Sequence, residues 1–301
     1  MAIVSISEVD DHESKALVKS GFIQDPSQPI QLIPFRWSAE TLEIVVDPNL
    51  GHEFRETLGC DLGKRIAGNI HFPERSQLTE SRDSQDIWFR LGINRNGGID
   101  IFGPEQLVGD RGPVRGWTAK GKTDEDRARE SAIALAHLFR FGQILHLRNK
   151  SENPARFEAT ANQADATDVQ KVDYEFQNLD GEELYFAVLI LSPGFHVKQL
   201  FPNTGTLQEV PPSGRRSLKF RLTVPKELGG KEAHGPQHKY RDIIRTVVTK
   251  GKNLSLRSME LPDIWNADQV DKVRSSAYGR DADLLESDFG WWIQDDEMPT
   301  K

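Results

Sequence analysis

Period-two alternation marks the second half of the sequence. Val172, Tyr174 and Phe176 alternate with Asp173, Glu175 and Gln177, and Leu218, Phe220, Leu222 and Val224 alternate with Lys219, Arg221 and Thr223. Successive side chains of a strand point to opposite faces, so each run predicts a half-buried antiparallel strand. Leu184–Leu191 is apolar on both faces and predicts a central strand, and residues 242–249 form a further β-prone run. Turn sequences separate these segments: Asn178-Leu179-Asp180-Gly181, Ser192-Pro193-Gly194, Pro202-Asn203-Thr204-Gly205 and Pro211-Pro212-Ser213-Gly214. Short strands with turns at this density predict an all-β Ig-like sandwich over about 151–265 rather than a parallel α/β sheet.

The first half reads differently. Leu42–Val46 is a buried strand stopped by Asp47-Pro48, and a short helix is expected at about 51–58. Residues 86–93 and Ile99–Phe102 flank Asn94-Arg95-Asn96-Gly97-Gly98, whose residues tolerate positive φ, so they predict a hairpin. Thr123 with Asp126 makes a capping-box start, and Ala128, Ala132, Leu135, Ala136 and Phe139 then fall on one helical face, with Gly142 ending or loosening the helix. This is an α+β N-terminal domain at about 39–150, a few strands under one clear helix.

Residues 1–38, weakly periodic and then rich in Pro and Gln, read as a tail or linker. The border to the sandwich is expected between Arg148 and Asp168, where helical periodicity has ended and alternation has not begun. Residues 266–301 comprise a polar segment and an aromatic end, Phe289, Trp291, Trp292 and Ile293. An exposed double tryptophan is a costly apolar patch, so this end reads as a last strand docking on the sandwich, a partner-binding tip being the other reading. The length of 301 residues agrees with two domains, since single domains run to about 150.

Charge narrows the partners. The formal charge of −8 and the lack of a basic block argue against nucleic acid, which needs clustered Lys and Arg. Arg111, Arg115, Arg215 and Arg216 sit in Gly/Pro-rich stretches and read as solvated loop charges that could meet an anion. One cysteine, Cys60, allows no intrachain disulfide and no Cys-rich zinc site. Acidic residues interrupt the first 22 residues, and the longest apolar run is far shorter than the ~20 residues that span a bilayer. The expectation is a cytoplasmic protein without a membrane partner.

No complete catalytic set emerges. His234 and His238 have the spacing of a zinc-binding helix, but Gly235 and Pro236 lie between them and no Glu follows His234, so they read as loop residues. Cys60, flanked by Gly59 and Gly63, is either a nucleophile awaiting a histidine in space or a small, partly buried structural cysteine. His137 and His146 read as helix-face and cap residues. Asn96-Gly97-Gly98 and Gly109-Asp110-Arg111-Gly112 lack the lysine and Ser/Thr of a phosphate loop, and no serine nucleophile elbow is present. No catalytic, cofactor-binding or metal-binding residue is assigned, and no cofactor is expected.

Several stretches carry a family resemblance. They are Tyr174-Glu175-Phe176-Gln177-Asn178, Glu183-Leu184-Tyr185-Phe186-Ala187-Val188-Leu189, the run 192–202 (SPGFHVKQLFP), Val210-Pro211-Pro212, the run 241–249 (RDIIRTVVT) and Ser258-Met259-Glu260-Leu261-Pro262. Upstream, the runs 84–91 (SQDIWFRL) and 98–101 (GIDI) and the helix ending Ala136-His137-Leu138-Phe139-Arg140-Phe141 continue it. Together they resemble the C-terminal region of fungal caspase-like, metacaspase-related proteins over roughly 40–295. That family's protease domain carries a histidine-glycine motif followed by an Asp-x-Cys-x-x-Gly-like motif. Here His234-Gly235 follows Cys60 instead of preceding it, so no catalytic residue carries over.

The resemblance implies an accessory region without its protease domain. The resulting expectation is a non-catalytic interaction protein that binds a protein or peptide partner, including a caspase-like protease module, through sandwich edges and loops. Two other readings stand beside it. One is a hydrolase whose nucleophile and histidine meet only in the fold; the other is a small-molecule or glycan-binding module.

Overall fold

The computed structural model describes residues 2–9, 14–21, 42–66, 70–72, 88–104, 107, 112–147, 155–165, 170–223, 225–228, 240–251, 256, 259–268 and 291–300. The chain is mostly β-strands in several sheets, with two α-helices among the described residues. Ala2–Val9 (β1) and Ser14–Gly21 (β2) pair as an antiparallel hairpin of their own, where the sequence suggested a tail or linker. The β-branched residues Ile3, Val4, Ile6 and Val9 favour that extended backbone.

The next sheet has the order β4-β3-β5-β6, built from Leu42–Val46 (β3), Ile70–His71 (β4), Trp88–Ile93 (β5) and Ile99–Phe102 (β6). β3 runs parallel to both β4 and β5, while β5 and β6 form the hairpin read from the Asn-Gly loop. Gly97 takes φ +78°, and the Asn94 carboxamide oxygen accepts from the Asn96 and Gly98 amides, so side chain and backbone together close the turn.

His52–Arg65 (α1) follows β3. It is longer than the helix expected at 51–58, because Phe54, Leu58 and Leu62 bury one face at four-residue steps and carry the helix through Gly59 and Gly63. Asp124–Leu145 (α2) begins at Thr123 with both hydrogen bonds of the capping box. Gly142 neither ends nor loosens it: the helix continues to Leu145, and Gly142 is buried within it.

Phe157–Asp165 (β7), Gln170–Asn178 (β8) and Arg215–Leu222 (β12) form an antiparallel sheet in the order β12-β8-β7. β7 lies inside the expected border, so alternation starts one strand earlier than the sequence suggested. Its inward positions Phe157, Ala159 and Ala161 are mostly small, which made the period-two signal faint.

A second antiparallel sheet has the order β10-β9-β13-β14, with β11 also on β9. Its strands are Leu184–Leu191 (β9), Val197–Phe201 (β10), Gln208–Val210 (β11), Tyr240–Lys250 (β13) and Trp291–Thr300 (β14). β9 is central and almost wholly buried. The two sheets face each other across one apolar core, with Val172, Tyr174 and Phe176 opposed to Phe186, Val188, Ile244 and Val248. Phe176 stacks on Phe186 with ring centroids 4.1 Å apart. The other face of the β9/β13 sheet is covered as well. Ala187, Leu189, Leu191 and Val247 belong to the same continuous core as α1, α2, β3, β5 and β6.

Candidate functional site

Cys60 is exposed on α1, not partly buried. The helix turns Phe54, Leu58 and Leu62 inward and leaves position 60 on the opposite side. Lys64 stands one turn away, its pKa raised first by Asp61 and then by the Cys60 thiol, and its Nζ lies 3.1 Å from Asp61 Oδ1. Among the described residues no histidine hydrogen-bonds to Cys60. His234 and His238 lie outside the described residues, as does Arg111. His146 is the C-cap of α2.

Two histidines approach a tight turn between β9 and β10. Phe195 adopts φ +59°, a left-handed conformation unusual for a bulky residue, and the surroundings fix it there. Its amide donates to the Ser192 carbonyl at 2.9 Å, its carbonyl sits 2.9 Å from Nε2 of the buried His137, and its ring meets Phe141 edge-on at 5.4 Å. Gly194 is needed for another reason: a Cβ there would stand 2.6 Å from Asp263 Oδ1 and 2.9 Å from the Trp265 ring. Trp265 in turn donates its indole N–H to the Gly116 carbonyl at 2.7 Å.

His196 and Asp263 face one another's fields across this turn. Burial pushes the His196 imidazole below its ordinary pKa, against the pull of Asp263, and burial with Glu227 nearby pushes the Asp263 carboxyl upward. No hydrogen bond joins the two side chains, and among the described residues no serine or cysteine donates to His196. The arrangement secures a turn, and among the described residues it brings no nucleophile against a histidine.

Arg215 and Arg216 are not turn residues. They open β12, where Arg215, Arg216, Lys219 and Arg221 supply four bases and no acid. The strand read from Leu218 onward extends back to Arg215 by its pairing with β8, through three polar, exposed residues that carry no alternation to read. Ser217, Lys219 and Arg221 face outward, opposite Glu175, Asp173 and Lys171 of β8, and Lys219 Nζ lies 3.5 Å from Asp173 Oδ1. Leu218 and Phe220 turn inward, half-buried at the rim of the sandwich core.

β12 differs from the other sheet edges. It keeps eight consecutive residue pairs with β8 and no register shift. β7 has a shift between Gln163 and Asp165, and β10 has one between Gln199 and Phe201 as well as a bridge from Val197 to Leu261. β14 carries Asp295, Asp296, Glu297 and Pro299, and its Gln294 side chain donates to the Ala159 carbonyl of β7. Bulges, proline and charge blunt edges against pairing. At β12 only the basic side chains do so.

No helix among the described residues is long and apolar enough to cross a membrane. No group of His, Cys, Asp and Glu among them could hold a metal ion. No family model and no curated protein matches the chain. Among solved structures, the crystal structure of red sea bream transglutaminase is similar at 10% identity, over 62% of this chain and 29% of that chain, with a TM-score of 0.20. A score that low carries no argument, and this chain spans only that 29% of the other's length.

Proposed function

We propose that this chain is a non-catalytic binding protein whose Ig-like sandwich takes up an extended peptide segment as an added strand beside β12. The strand order supports the Ig-like reading. In chain order β7, β8 and β12 correspond to A, B and E, and β10, β9, β13 and β14 to C′, C, F and G. The observation that carries the binding role is β12 itself, an unbulged eight-residue edge pairing only with β8 among the described residues. An added strand gains main-chain hydrogen bonds along such an edge, while alternate side chains set its selectivity. Through the family resemblance, a segment of a caspase-like protease module is one such partner.

A peptide-display selection against the whole chain, followed by amide exchange on the bound and free protein, tests this role. Binders are expected to slow exchange of β12 amides. Protection confined to β14 or to the loops would count against it.

A further inference from the structure

We infer that the segment taken up at β12 is acidic, with acidic and apolar residues in alternation; this rests on strand addition at that edge. A strand laid beside β12 alternates its own side chains between the same two faces. On the outer face they would lie next to Arg215, Ser217, Lys219 and Arg221, and on the inner face next to the exposed Arg216 at one end and then the half-buried Leu218 and Phe220. The outer positions therefore call for carboxylates and the inner ones for aliphatic side chains.

The chain carries a formal charge of −8, yet this strand holds four bases and no acid. Arg221 stands across from Lys171, a like-charge pair that a bound carboxylate would relieve. Arg216 Nη1 donates back to the Arg215 carbonyl at 3.0 Å. Asp173 occupies Lys219 in part, at 3.5 Å. Arg215, Arg216 and Arg221 are exposed with no ion pair among the described residues, and of these Arg215 and Arg221 stand on the outer face.

Fluorescence polarisation with the full chain tests the inference, using three labelled peptides of about ten residues, enough for one strand. They alternate Val with Glu, Gln or Lys. The Glu peptide is expected to bind at least about tenfold more tightly than the Gln peptide and to weaken as salt rises toward about 0.15 M, with the Lys peptide weakest. Arg215→Glu/Arg221→Glu should abolish the preference for Glu, and Arg215→Gln/Arg221→Gln serves the same purpose if the reversal lowers the melting temperature. Equal binding of Glu and Gln peptides, unchanged by these variants but still protecting β12 amides, overturns the acidic selectivity and leaves strand addition standing. Binding of none of the three overturns both, as it would if one of the chain's own acidic segments already occupied the edge.

Discussion

Arg245 grips Asp295 with two parallel hydrogen bonds, Nε to Oδ1 and Nη2 to Oδ2, each 2.7 Å long. The guanidinium is fully buried while the carboxylate is 35% exposed. Nη1 also donates to the Ile144 carbonyl and Nη2, at 2.9 Å, to the Leu145 carbonyl, at the open end of α2. One side chain thus closes a helix and joins it to two strands of the central sheet.

Removing the acid should cost more than removing the base. Asp295→Ala strands a buried cation and is expected to destabilise by about 3 kcal/mol or more. Arg245→Met leaves Asp295 able to rehydrate and two helix carbonyls short of a donor, for about 1–3 kcal/mol. Urea unfolding of both variants decides this; an Asp295→Ala loss under about 0.5 kcal/mol would remove the ion pair's role.

Tyr174 is wholly buried and its hydroxyl lies 2.8 Å from Thr246 Oγ1, whereas Glu175 next to it is exposed. Burial raises the Tyr174 pKa. Tyr174→Asp puts an unpaired charge in the sandwich core and is expected to abolish folding, since several kcal/mol is comparable with a total stability of about 5–15 kcal/mol. Glu175→Lys should melt within a few degrees of the native chain. Circular dichroism melts of the pair make the comparison.

Asp296 supplies a pH dependence. Burial raises its carboxyl pKa first and the Asp295 charge second, Gln294 opposing them, and its Oδ2 has no hydrogen-bond partner among the described residues. A raised folded-state pKa means that the folded chain holds this proton more tightly. The contribution to stability is full below the ordinary carboxylate value of about 3.9 and is lost as pH rises through the folded pKa. Asp296→Asn should therefore raise the melting temperature at about pH 7, with the gain shrinking toward about pH 4. A gain that grew on acidification would reverse the sign.

Cys60 allows a direct check on catalysis. Exposed on α1 and lacking a histidine partner among the described residues, its thiol should take up one equivalent of a thiol reagent in the folded protein. The native chain should turn over no substrate in a peptide library, with or without calcium, and Cys60→Ala should show the same background. Turnover lost in Cys60→Ala would make the chain a hydrolase.

What the sequence revealed depended on how much of the signal was local. The faces of β8, the central position of β9 and the Thr123 cap follow from neighbouring residues, and all three are present. The parallel pairing of β3 with β4 and β5 joins residues far apart, which periodicity cannot report. Cys60 reads as a nucleophile or a partly buried structural cysteine, and nothing near it shows that packing by Leu58 and Leu62 sustains a helix with Cys60 on its exposed side. Arg245 sits in the middle of a β-prone run, and nothing near it points to Ile144 or Asp295. The alternation from Leu218 onward gives the body of β12, but its first three residues are polar and exposed, so its start reads as a turn.

The partners of Arg245 lie 50 residues after it and 100 and 101 residues before it. Any partly assembled chain that buries this guanidinium before Asp295 has arrived must carry an uncompensated cation, and one that lacks the end of α2 leaves two of its N–H donations unmade. Such long-range closures are slow, because loop entropy is lost before contacts are gained. The ion pair thus makes states that bury Arg245 without Asp295 poor resting places, besides steadying the finished one.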